Sequence, residues 1–478
     1  MATAVTKPTA SAPRRRSLVV KVAVVTMLAG LLFGYDQGVI SGALGLIKAD
    51  LHLGTFATEV ITSWVTLGAL GGALVAGGLA DKIGRRHTAM IAGLLFAIGA
   101  LLEAVAPGVF VLTTGRVLTG VAVGFASTVA PLYAAEMAPA AVRGRIVSGY
   151  QLAITIGIFL AYLVNDVLQD SGQWRLMFAV AVIPGVLLIL GFMIVPESVR
   201  FLVKTGKRDQ ARAVVEQIEG PNDAPQVLAD IEQSLAQEES DRADWGELIT
   251  PSLRRPMIIG IGLSVIQQIT GINAIIYYAN DIFAKAGFES AQAQSRATLF
   301  AIGLVNVLAT FIAVAYVDRF GRKPLLKYGL IGMTISLTIV GISFASFHSS
   351  SGGFSTGGAL TLLGLVVFII SFAFSLGPVV WTVISEIYPS RIRGRAVSIA
   401  TAANWGAAFL VTQFFLSIVD AIGEAETFFL FAAICVVSFV WIAHWVPETK
   451  GRTLEEIQAM FDSDLAAANA AAGGSTKP

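Results

Sequence analysis

The sequence predicts an all-α membrane protein: twelve transmembrane helices in two pseudosymmetric six-helix bundles. Three observations carry this. Apolar stretches of spanning length recur twelve times. The loops between them alternate between rich and poor in Lys and Arg. Short polar motifs of the first half return in the second at offsets of about 240–250 residues. A spanning helix needs about 20 predominantly apolar residues.

Composition points the same way. The chain has 478 residues, 55% of them hydrophobic and only 14% charged. Soluble domains carry about 25% charged residues, so most of this surface must face lipid. The net charge of +1 gives no basic field for nucleic acid. The one cysteine, Cys435, lies in an apolar run. It permits no internal disulfide and no cysteine metal cluster. The four histidines, His52, His87, His348 and His444, show no ligand spacing. No nucleophile–base constellation stands out. An enzyme, a metal and a cofactor are therefore not expected.

The elements follow in order. Residues 1–18 are polar and Pro/Ala-rich and read as a disordered cytoplasmic tail. "PRRRS" precedes an apolar stretch too long for a cleaved signal, so an uncleaved signal-anchor helix is expected. The N-terminal bundle, 19–195, holds apolar spans at 19–45, 59–80, 88–106, 109–134, 145–166 and 175–195. A cytoplasmic linker, 196–255, is the longest charged stretch. Val214, Val215 and Ile218 recur there at helical spacing, which predicts short amphipathic helices. The C-terminal bundle, 256–446, holds spans at 256–284, 296–317, 324–347, 357–384, 394–418 and 426–446. A cytoplasmic tail, 447–478, ends in low-complexity "AAANAAAGGSTKP".

With twelve spans, every basic segment falls on one side. The positive-inside rule makes that side cytoplasmic, with both termini inside. No organelle-targeting segment is evident, so the plasma membrane, a bacterial inner membrane, is expected.

The halves repeat. "DKIGRR" at 81–86 answers "DRFGRK" at 318–323. "EMAPAAVRGR" at 136–145 answers "EIYPSRIRGR" at 386–395, and "PESVR" at 196–200 answers "PETKGR" at 447–452. A twofold repeat with a site at the repeat interface is the plan of a secondary transporter. The carboxylates of these loops can pair with their arginines across neighbouring helix ends. Asp81 with Arg85, Glu136 with Arg143 and Arg145, Asp318 with Arg322, and Glu386 with Arg393 and Arg395 would form a cytoplasmic gate that holds the halves shut inside and breaks when the protein opens inward. A bland alternative is that the arginines only set topology.

The seventh span carries "IQQITGINAIIYYAN". Amides and phenols offer donors and acceptors without charge, and a sugar hydroxyl needs both. On an ideal helix Gln267, Asn273 and Tyr277 fall within an arc of about 120°, and Gln268 widens it to about 220°. A helix unwound near Thr270–Gly271 would gather all four. Gln151, Asn306, Trp381 and Asn404 with Trp405 are further polar or aromatic residues in apolar spans. The competing account is polar glue between helices.

The first span carries "LLFGYDQGVISG". Gly34, Gly38 and Gly42 repeat every four residues and form a close-packing face. Asp36 lies about 200° from Gly34, so it points away from that seam, toward the central cavity. A mid-membrane carboxylate costs about 2.5–3.5 kcal/mol on insertion scales, so it needs a partner. Arg116, in the fourth span, is the natural one. The pair is either a permanent structural bridge or a titrating couple. Burial disfavours an ionised carboxylate and a guanidinium favours it, so motion that separates them favours proton uptake.

These motifs resemble the sugar porter family of the major facilitator superfamily, over roughly residues 20–460. The likeness rests on the paired D-x-x-G-R-[RK] loops, the two E-x(6)-R-G-R loops, "PESVR", "PETKG" and "QQITGINAIIYY". It implies the major facilitator fold. It carries a sugar-binding role to Gln151, Gln267, Gln268, Asn273, Asn306, Trp381 and Asn404, and a gating role to the loop residues. An aspartate at position 36 accompanies proton coupling in the family. Asn404–Trp405 resembles the pair in glucose-type members. Val199 departs from the family's usual proline, and the expected effect is confined to a loop. The implied function is proton-coupled import of a monosaccharide, a hexose such as glucose, by a monomer. The alternatives are an uncoupled facilitator and a non-transporting sugar sensor.

The topology is testable. Single cysteines at residues 170 and 220 are expected to label from opposite sides, the second only from the cytoplasm. Labelling of both from outside intact cells would overturn the twelve-span arrangement.

Overall fold

The computed structural model describes residues 12–240, 246, 248, 250–316, 319–346, 356–389, 392–452 and 456–461. Twelve of its helices are long and apolar enough to cross a membrane. The first six spans are Ser17–Leu51, Thr55–Ile83, Arg85–Ala104, Val109–Met137, Val142–Ser171 and Trp174–Met193. The second six are Pro251–Tyr277, Ala291–Ala315, Arg322–Ser346, Thr356–Ile387, Arg393–Ile422 and Glu424–Trp445. Many run past their apolar stretches. Inside hydrocarbon the backbone must satisfy its own hydrogen bonds, and a helix once formed propagates cheaply into the flanking polar residues. The first helix starts at Ala12, inside the segment expected to be a tail.

The two bundles mirror one another. The first span packs on the fifth, the second and third on the fourth, and the third on the sixth. The same pairs, shifted by six, recur in the second half. Large apolar side chains such as Leu74, Val167, Phe311 and Val437 point outward, as lipid contact requires. The glycine seam of the first span lies against the fifth. A Cβ on Gly38 would stand 2.8 Å from the Cβ of Ala161, and Gly34 meets the backbone of Ile154. Small residues are what permit this approach.

The linker forms Val199–Lys204, Arg208–Ile218 and Ala224–Ser240. The predicted amphipathic face is present: Ala211, Val214, Val215 and Ile218 are buried. Val199 is the buried first residue of a helix rather than part of a loop, and Ser198 caps that helix by accepting from the Phe201 amide at 3.3 Å. Proline is favoured at such a position but not required.

The repeated motifs have a structural reason at the basic end. Glu197 of "PESVR" accepts from the Arg86 amide at 3.0 Å, at the start of the third span. Glu448 of "PETKGR" accepts from the Arg322 and Lys323 amides at 2.8 and 3.1 Å, at the start of the ninth. A carboxylate at a helix N-terminus satisfies unpaired amides and the helix dipole together.

Polar contacts between the halves gather at the other end. Thr55 donates to Asp420 at 2.9 Å, and Ser63 to Gln413 at 2.6 Å. Between them Glu59, buried, accepts from the Ser417 amide at 2.6 Å and from its hydroxyl at 2.7 Å. These three rungs join the second and eleventh spans. Lys48 pairs with Asp281 at 3.3 Å, and Gln292 donates to Asp166 at 2.9 Å. The halves are thus closed against each other at the end opposite the basic loops.

Glu59→Ala removes the central rung. Hydrogen bonds to a charged acceptor contribute about 1.5–3 kcal/mol, so opening at this end should gain about ten- to 150-fold in population. Spin labels at residues 56 and 421 should then show a longer distance in pulsed dipolar spectra. An unchanged distribution would remove Glu59 from the closure.

Candidate substrate and coupling site

The seventh span is broken where the sequence suggests. Its first helix ends at Ile269, Gly271 takes φ +94°, and a second helix runs Ile272–Tyr277. That positive φ suits glycine, which has no Cβ to clash. The break gathers an amide chain. Asn273 Nδ2 donates to Gln268 Oε1 at 2.8 Å, and Gln268 Nε2 donates to Asn404 Oδ1 at 3.1 Å. Asn404 Nδ2 donates to Gln267 Oε1 at 2.8 Å, and Gln267 Nε2 donates to the Leu376 carbonyl at 2.7 Å. All four amide residues are buried. The chain links the seventh, tenth and eleventh spans.

Gln37 extends it across the halves. Its Nε2 donates to Asn273 Oδ1 at 3.4 Å. Gln37 was not among the sequence candidates. The available sign was its place beside Asp36, in mid-span and one residue on. Tyr277 is buried at the Gln37 end of this amide chain, near Asp36 and Arg116. One helical turn beyond Asn273, it is carried toward the first span.

The remaining candidates line up less tightly. Asn306 is buried and accepts from Thr310 at 3.5 Å. Gln151 is half-buried on the fifth span. Trp381 is half-buried on Leu376–Ile387, just past a backbone break at Ser375. Trp405 is buried, its ring 5.5 Å from that of Phe33 across the halves. Amides with aromatic planes suit a ligand that has hydroxyls and apolar C–H faces. The amides satisfy one another, so their burial is tolerated. Each link is a hydrogen bond that a polyhydroxyl ligand can take over.

The expected ion pair is formed. Arg116 Nη1 donates to Asp36 Oδ1 at 2.8 Å, and Arg116 Nε to the Ile61 carbonyl at 3.2 Å. Asp36 is 3% exposed and reaches its partner, which sits fully buried on the fourth span. Glu103 of the third span also approaches Arg116, at 3.9 Å, and accepts from Thr119 at 2.9 Å. Sequence reasoning missed it, since a lone carboxylate near a span end looks interfacial.

At the basic end the pairing differs from expectation. Arg85, buried, bridges Asp81 at 2.9 Å and Glu136 at 3.1 Å. Arg322 pairs with Glu386 at 3.0 Å. With the opposite end closed, these pairs each stay within one half and tie the helix ends of a bundle together. Arg143 and Arg145 are exposed and do not reach Glu136, which Arg85 already occupies. Arg143 donates at 3.5 Å to the Ala138 carbonyl. Arg393 donates to the Tyr388 carbonyl at 3.1 Å, and Arg395 is half-buried on the same turn. Asp318 lies outside the described residues.

Known proteins resemble this chain over most of its length. A family model described as "Sugar (and other) transporter" matches residues 22–461. The galactose-proton symporter of Escherichia coli K12 is 41% identical over 434 residues, 90% of this chain and 92% of that protein. A glucose transporter of Staphylococcus epidermidis is 38% identical over 431 residues, 90% of this chain and 94% of that one. The inward-open structure of the Escherichia coli xylose transporter XylE superposes with a TM-score of 0.79 at 31% identity, over 92% of this chain and 99% of that one. This is a family of transporters and not of enzymes. The chain belongs to the sugar porter family of the major facilitator superfamily.

Proposed function

We propose that this protein imports a monosaccharide together with a proton, by alternating access, across a plasma membrane with its basic end and both termini cytoplasmic. The contact between Gln37 and Asn273 carries the reading. It joins an uncharged amide site to a buried ion pair, because Gln37 follows Asp36 directly in the chain. A sugar hydroxyl that takes Asn273 competes with Gln37 and so acts on the turn that holds Asp36. A proton on Asp36 loosens its bond to Arg116 and acts on the same turn. The names of relatives support this class: galactose-proton and arabinose-proton symporters, a xylose transporter and a glucose transporter. The resemblance of Asn404–Trp405 to the pair in glucose-type members favours a hexose such as glucose. Both clusters are complete within one chain, so the transporting unit is the monomer.

The arrangement supports a cycle. With the end opposite the basic loops closed, the site would open toward the basic side, which positive residues place in the cytoplasm. Rocking of the bundles would break the Glu59–Ser417 rung and re-form contacts at the basic end.

Gln268→Ala and Asn273→Ala are each expected to weaken sugar binding by about 1–3 kcal/mol, since a buried hydroxyl loses its partner. That is roughly five- to 150-fold in Kd by isothermal titration. Unchanged affinity in both folded variants would move the site elsewhere.

Asp36→Asn keeps the shape and removes the titrating carboxylate. It should bind sugar and exchange labelled sugar at equal concentrations, yet lose accumulation. One charge moving through 100 mV is worth about 2.3 kcal/mol. A one-proton symporter could hold about a 50-fold sugar gradient at that potential. The variant should fall to a ratio near one in proteoliposomes. Normal accumulation by the variant would make Asp36 structural. Wild-type protein that never accumulates would be a facilitator.

A further inference from the structure

Arg116 is a permanent cation with no exposed surface. Each time Asp36 takes the transported proton, the guanidinium loses its counter-ion. A buried cation left alone is strongly disfavoured, so proton loading needs a substitute. The third span supplies one. Glu103 is buried, and its Oε1 lies 3.9 Å from Arg116 Nη1. Arg116 Nη2 is buried with no hydrogen-bond partner, so the guanidinium has a donor to spare. Glu103 is held in place by the Thr119 hydroxyl at 2.9 Å. The third and fourth spans are pressed together there: a Cβ on Gly115 would stand 2.6 Å from Glu103 Cγ.

We propose that Glu103 is a positioning residue of the proton site, which becomes the counter-ion of Arg116 when Asp36 is protonated. The proposal rests on the proton-coupled reading of Asp36. The step balances with one proton. A proton from water bonds to an Asp36 oxygen, the charged Arg116–Asp36 hydrogen bond weakens, and an Arg116 N–H bonds to Glu103 instead. With both carboxylates ionised the cluster carries −1, and with the proton it is neutral. Without Glu103 the same loading would take the cluster from neutral to a buried +1.

The surroundings leave this assignment to a few groups. The first span contributes Asp36, and the fourth contributes Arg116 and Thr119. The second contributes the Ile61 carbonyl to Arg116, while its own acid Glu59 is bound to Ser417. The sixth contributes the Phe178 ring, 6.0 Å from the guanidinium carbon. Its Arg175 instead bonds Asp50 and the Ala106 carbonyl, beyond the end of the third span. The seventh contributes the Tyr277 phenol near the ion pair.

Glu103→Gln is nearly isosteric, and its carbonyl still accepts from Thr119. Sugar accumulation against external pH, and sugar exchange at equal concentrations, are measured in proteoliposomes for wild type, Glu103→Gln and Glu103→Asp. Exchange by Glu103→Gln should match wild type. Its half-maximal accumulation should need at least about tenfold more protons, one pH unit. Glu103→Asp keeps a carboxylate and should fall between the two. A Glu103→Gln profile that superposes on wild type overturns the inference and leaves the proton-coupled reading standing. Wild-type protein that accumulates nothing under any pH gradient overturns both. Should Glu103→Gln not fold, Glu103→Asp decides: its shorter arm must move the profile toward acid, and an unmoved profile overturns the inference.

Discussion

A guanidinium without exposed surface, in the middle of a bundle that lies in hydrocarbon, constrains everything around it. Arg116 cannot shed its proton, so three neighbouring spans must bring it acceptors. The first offers Asp36, the second the Ile61 carbonyl, and the third Glu103 at a longer distance. Asp36 reaches only because its own helix can lie flat against the fifth span, which the Gly34–Gly38–Gly42 seam allows. Removing one partner of such a buried pair typically costs 3–5 kcal/mol. The ion pair is thus weak support for stability in itself, but it fixes how the first bundle must be packed.

The ligand site is built by the opposite device, neutral groups that satisfy one another. Gln267, Gln268, Asn273 and Asn404 could not be buried singly without a desolvation penalty. Linked, they form a surface whose hydrogen bonds are exchangeable one for one. The break at Gly271 matters because it turns Asn273 back onto Gln268, which an unbroken helix would place on another face. The two devices meet on a single turn of the first span, where Asp36 serves the charged cluster and Gln37 the neutral one.

Much of this was legible in the sequence, for definable reasons. Twelve spans follow from hydropathy, because the bilayer leaves the backbone no alternative to helix. The break near Thr270–Gly271 and the pairing of Asp36 with Arg116 follow from the cost of lone polar groups in apolar surroundings. What was not legible depends on which helix lies opposite. Gln37 and Glu103 each look ordinary in their own span, and only the crossing of spans one with seven, or three with four, gives them partners. The same limit misplaced Glu136. By spacing it belongs with Arg143, yet Arg85 of a neighbouring helix end reaches it first. Tyr277 sits one turn past Asn273, and small rotations of a short helix decide which neighbour it meets.

The repeat itself shows where sequence symmetry survives. At the basic end each motif closes contacts inside its own bundle: Arg85 with Glu136 and Glu197 on the Arg86 amide, Arg322 with Glu386 and Glu448 on the Arg322 amide. Each half must solve that local problem by itself, so the same residues serve twice. At the other end the contacts cross between halves. Spans two and eleven meet through Glu59 and Ser417, while their symmetry mates, eight and five, meet through Gln292 and Asp166. A crossing surface needs only to fit the one partner it faces, so nothing holds the two crossings to the same residues. A closure made of different chemistry on its two sides also need not open on both at once. The repeated loops therefore frame each bundle, and the dissimilar rungs are where the two bundles are set against each other.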